Sequence, residues 1–132
     1  EMPFWLNEGF ADYFSTARVE GGRVTARGAP IVGRLRDLRR FVRAGGPVPF
    51  SRLMQETPAE FYSGAVAAKY AQAWSMVHFF LRGPNEPLRK RFLRYVRLLL
   101  LGKGSHSAFK QAWQGADWKS AQDAWLKYVQ KL

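Results

Sequence analysis

Cysteine is absent from the sequence, so neither a disulfide framework nor a thiolate zinc site can form, and the redox compartment stays open. Histidine is scarce: His78 and His106 are the only two, and no His-Glu-x-x-His motif exists. Acidic residues are outnumbered, 10 against 21 lysines and arginines, which leaves a net charge of +11. Long apolar runs are also missing. The longest aliphatic run, Leu98 to Leu101, falls far short of the ~20 residues needed to span a bilayer. Neither a phosphate loop, a dinucleotide fingerprint nor a Gly-x-Ser-x-Gly elbow occurs, which removes the usual signatures of nucleotide chemistry and serine hydrolysis.

What remains is apolar and aromatic. Hydrophobic residues make up 47% of the 132 positions, with 10 Phe, 5 Trp and 5 Tyr, which argues against disorder and for one compact domain over residues 1–132. The excess positive charge gathers between Arg34 and Arg43 and between Arg82 and Arg97. Such a balance favours anionic partners: nucleic acid, acidic lipid or an acidic protein segment. No RNP-like, zinc-finger or basic-zipper pattern accompanies it, so nucleic acid is a poor candidate and solvated helix faces are the simpler expectation.

Periodicity predicts a mainly α fold, a bundle of six or seven helices with one short β-hairpin near residues 18–27. The first helix is expected from Pro3 to Arg18, with Leu6, Phe10, Tyr13 and Ala17 on one face and Glu8, Asp12 and Ser15 on the other. Gly21-Gly22 between two short runs gives the hairpin turn. Further helices are expected over residues 33–44, after Thr57-Pro58-Ala59-Glu60 as a capping box, over 65–82, from Glu86-Pro87 onward, from Ser105 or Ser107 as cap, and after Asp117. Tyr70, Trp74, Val77 and Leu81 form one stripe of the 65–82 helix, with Lys69, Gln72 and Ser75 on its other faces.

Glu8 and Asp12 stand one turn apart, where like charges repel unless a cation, a proton or a hydrogen-bond donor stands beside them. The surrounding Trp5-Leu6-Asn7-Glu8-Gly9-Phe10-Ala11 resembles the third-ligand helix of the gluzincin zinc metallopeptidases, the clan of the aminopeptidase N-like and thermolysin-like enzymes. It is also similar to bacterial peptidase-like domains of that clan. The resemblance implies that Glu8 is a zinc ligand, that Asp12 orients a metal-bound histidine, and that Asn7 braces backbone or substrate. Asn7 could equally be a local hydrogen bonder at the helix start. Tyr70-Ala71-Gln72-Ala73-Trp74-Ser75 resembles the downstream helix whose tyrosine donates to the oxyanion, a role that would fall to Tyr70; a core tyrosine is the competing reading.

The same resemblance implies a peptide or protein substrate. It also implies an upstream part of the same protein that supplies His-Glu-x-x-His, this chain being the C-terminal portion of a peptidase domain. Zinc would then belong to the longer protein, and the chain alone would be inactive and hold zinc weakly at best. The alternative is a non-catalytic, basic helical binding module built on the same fold. His78, amid Met76, Val77, Phe79 and Phe80, is expected to be a hydrogen-bonded core residue, and His106 to be solvated.

Overall fold

The computed structural model describes residues 1–132 as eight helices and one hairpin. In chain order these are α1 (Phe4–Phe14), β1 (Arg18–Glu20), β2 (Arg23–Thr25), α2 (Val32–Arg43), α3 (Phe50–Leu53), α4 (Pro58–Phe61), α5 (Val66–Arg82), α6 (Glu86–Leu100), α7 (Ser105–Trp113) and α8 (Trp118–Val129). The mainly α class and the lone hairpin agree with the sequence. β1 and β2 pair antiparallel with Val19 opposite Val24, and Gly21 and Gly22 both adopt positive φ (54° and 76°), as a type I′ turn requires.

Several helix starts follow local chemistry. Thr57 and Glu60 make both bonds of the capping box ahead of α4. Asn85 accepts from Leu88 N at 3.1 Å to open α6, and Asp117 from Ser120 N at 3.0 Å to open α8. Two expectations are corrected. α1 stops at Phe14 rather than Arg18, because the Ser15 hydroxyl and amide both turn back to the Asp12 carbonyl and Ala17 leads straight into β1. No serine caps α7: Gly104 holds that position, without a side-chain bond, and Ser105 is already helical.

α5 is the centre of the molecule, packed by α1, α2, α6 and α8. Every residue from Ala71 to Phe80 is buried, the polar ones included. A helix surrounded on all sides must satisfy its polar groups internally. The Gln72 amide brackets Val48, accepting from its N–H at 2.9 Å and donating to its carbonyl at 2.7 Å. Ser75 Oγ donates to the Gln72 carbonyl and accepts from Trp125 Nε1 at 3.0 Å. Lys69 meets Glu56 at 3.0 Å and also donates to the carbonyls of Glu60 and Ser63. Aromatic packing fills the space between: Phe80 stacks on Phe92 (5.0 Å) and meets Trp113 (5.3 Å), while Trp125 packs edge-on against Phe50 (5.3 Å).

Candidate functional site

Glycine sets how closely the two site-bearing helices approach. A Cβ added at Gly9 would stand 2.8 Å from both the Ala73 carbonyl oxygen and Val77 Cγ2, so α1 rests almost backbone-to-backbone on α5 at this point. No larger residue fits without forcing the helices apart. Glu8 precedes that contact on α1, and Tyr70 lies one turn before Ala73 on α5. The sequence places these residues more than sixty positions apart, and the fold makes them neighbours.

Their electrostatics show the proximity. The Tyr70 phenol is pushed up to about 12, first by its hydrogen bond to Tyr62, then by burial and by the negative charge of Glu8. The Tyr62 and Tyr70 hydroxyls lie 2.8 Å apart. Either hydroxyl can donate in that bond, and the raised pKa keeps the Tyr70 phenol protonated at neutral pH.

Arg34, from α2, closes the group. Its Nε donates to Asp12 Oδ2 at 2.8 Å, and its guanidinium carbon sits 4.8 Å from the centre of the Tyr70 ring. This is the cation that the Glu8/Asp12 pair needs. It occupies one oxygen of Asp12 and leaves Oδ1 without a hydrogen bond. The Glu8 carboxylate is half-buried and takes part in no ion pair or hydrogen bond with the protein.

Of the residues singled out in the sequence, Glu8, Asp12 and Tyr70 converge. Asn7 does not join them. It is exposed, makes no capping bond, and lines a separate cavity of about 470 Å³ with Phe4, Met54, Glu56 and His106. Arg34 and Tyr62 are additions that sequence reasoning missed. Arg34 looked like one of many arginines on a basic helix, and Tyr62 fell at the end of the short helix after the capping box; neither matched a motif.

No three His, Asp or Glu side chains gather in a metal-binding arrangement. A gluzincin zinc site takes two histidines and one glutamate, and of these the chain offers a glutamate of suitable character, unpaired and beside a phenol donor. His78 is no substitute. Its Nε2 donates to the Gly28 carbonyl at 2.9 Å, which leaves Nδ1 to accept from the Tyr128 hydroxyl at 2.7 Å, and burial pushes its pKa down. It is the hydrogen-bonded core histidine expected from its neighbours, and His106 is exposed as expected.

No curated protein and no solved structure matches the chain. A family match does cover most of it, from the start of the sequence to the end of α6, and so takes in α1, α2, α5 and all five residues of the Glu8 cluster. Over residues 1–100 the chain matches, and it belongs to, the family described as Protein of unknown function (DUF1570).

Proposed function

We propose that this chain is the helical part of a zinc-dependent peptidase site, in which Glu8 is one of three protein ligands and Tyr70 the oxyanion donor. The observation that carries the reading is the Gly9 contact, which brings an unpaired carboxylate close to a protonated phenol on a second, buried helix. When bound, zinc would lower the pKa of a water enough for it to attack a peptide carbonyl at neutral pH.

The chain's own residues do the rest. Glu8 contributes negative charge and an oxygen ligand. Asp12, neutralised on one side by Arg34, keeps its free oxygen for the N–H of a histidine supplied by preceding residues. Tyr70 turns its proton toward the oxygen that gains charge as the carbonyl is attacked. Tyr62 then donates to Tyr70, and the chain of two hydroxyls polarises the donor further. Arg34 over the ring and Tyr62 at the hydroxyl are positioning residues.

The test is metal binding in the natural protein that includes the residues before Glu1. Glu8→Ala should weaken zinc affinity at least about a hundredfold, and Tyr70→Phe should leave zinc in place while lowering kcat about 10²–10³-fold. Unchanged zinc affinity in Glu8→Ala would overturn the reading. The second reading, a non-catalytic binding module, draws on the outward-facing arginines that pair with nothing in the protein, and it prevails if the natural gene encodes no His-Glu-x-x-His before Glu1.

A further inference from the structure

The basic residues of α6 divide into two sets. Arg89 and Arg91 are used internally: Arg89 donates to the Gly83 carbonyl at 2.7 Å, and Arg91 to those of Ala112 and Gln114 at 3.2 and 2.8 Å. Arg94 and Arg97 bond no protein group, and Lys90 has only an exposed contact with Glu86 at 3.4 Å. At 100° per residue these three cations share the outward face, opposite the buried Phe92, Tyr95 and Leu99. An ordinary solvated face would carry polar residues between them. Here Leu93 and Leu100 flank it on one side and Leu101 follows at the helix end, with 49%, 74% and 67% of their surface exposed.

We infer that this outer face of α6 docks onto an anionic lipid surface. Three long cations with exposed leucines beside them suit the boundary between headgroups and acyl chains. The leucines enter the apolar layer while the guanidinium and ammonium groups reach back to lipid phosphates. Charge argues against the other occupants. A second copy meeting on the same face would set Lys90, Arg94 and Arg97 against their own equivalents in a two-fold contact. A nucleic-acid backbone would satisfy the cations but leave the leucines against phosphate and water. The net charge of +11 strengthens attraction to an anionic leaflet, and no helix of the chain is long and apolar enough to cross one.

Sedimentation with vesicles tests this on the chain itself, independently of any peptidase activity. Vesicles with roughly 30% phosphatidylglycerol should bring the protein down and pure phosphatidylcholine should not. The double substitution Leu100→Ser, Leu101→Ser keeps every charge and removes no buried group, and it should weaken binding about tenfold or more. Val19→Ser with Val24→Ser, on the hairpin, should leave binding unchanged. Circular dichroism of each variant checks that the helices persist. No binding to anionic vesicles overturns the proposal, as does equal binding by the leucine variant, which would mean attraction by net charge alone. Competition by an acidic peptide or by DNA that survives the loss of both leucines would also overturn it.

Discussion

Two single residues test the site most directly. A Cβ at Gly9 would lie 2.8 Å from α5, so Gly9→Ala must push the helices apart or distort both. It should cost about 1–3 kcal/mol in chemical denaturation. It should also loosen Glu8 from Tyr70, read as a lower Tyr70 pKa in a ring-carbon NMR titration, because the charge of Glu8 helps to raise it. Tyr62→Phe removes the largest cause of that raised value. The Tyr70 titration should then move from about 12 back toward 10 with little change in stability, since Tyr62 is half exposed. A Tyr70 midpoint that stays near 12 in Tyr62→Phe would show that the hydroxyl pair does not hold it. Arg34 could not have been found from its own neighbourhood. Its role depends on where α2 crosses α5, and among the closely spaced arginines of α2 only the fold picks out the one that meets both Asp12 and Tyr70.

Among the elements, α5 departs furthest from what its sequence suggests. The Tyr70–Trp74–Val77–Leu81 stripe was legible and reads as an ordinary amphipathic helix. Lys69, Gln72 and Ser75 then belong on a wet side, yet all three are buried. Their partners, Glu56 and Val48 in loops and Trp125 in α8, lie outside α5, and periodicity carries no information about them. The helices with capping signals or glycine stops, and the hairpin with its paired glycines, were legible because those determinants are local. α1 ended early because a serine side chain turned inward on the backbone, a competition that composition does not reveal. The Lys69–Glu56 pair has a measurable consequence. Lys69→Met leaves the Glu56 side chain, only 2% exposed, facing Arg52 at 3.7 Å as its remaining cation. The loss should be about 3 kcal/mol by urea denaturation, and Glu56→Gln combined with Lys69→Met should recover part of it.

At the scale of the whole molecule, His78 joins four parts. It sits between Trp74 on its own helix, Tyr13 of α1, the Gly28 carbonyl after the hairpin and the Tyr128 hydroxyl of α8, with Arg82 the nearby charge that also disfavours its protonation. Its pKa in the folded protein is depressed, chiefly by burial. Below about pH 6.5 the unfolded chain therefore takes up a proton that the folded one refuses. This group's contribution is complete above that pH and is lost as the pH falls toward the depressed value. The urea midpoint should drop between about pH 7.5 and pH 5, and His78→Gln should flatten that portion of the curve. Reach beyond the family match matters here too. α7 and α8 follow residue 100, yet α8 supplies Trp125 and Tyr128, so a chain cut after Leu100 should lose cooperative unfolding.

The Gly9 contact also has a consequence in time. α1 carries Phe4, Trp5, Phe10, Tyr13 and Phe14, and its resting place is the surface formed by Ala73 and Val77. During synthesis, at about 5–20 residues per second, the helix leaves the ribosome seconds before that surface exists. For those seconds its buried aromatic side chains lack that surface, which makes α1 a segment open to chaperone binding.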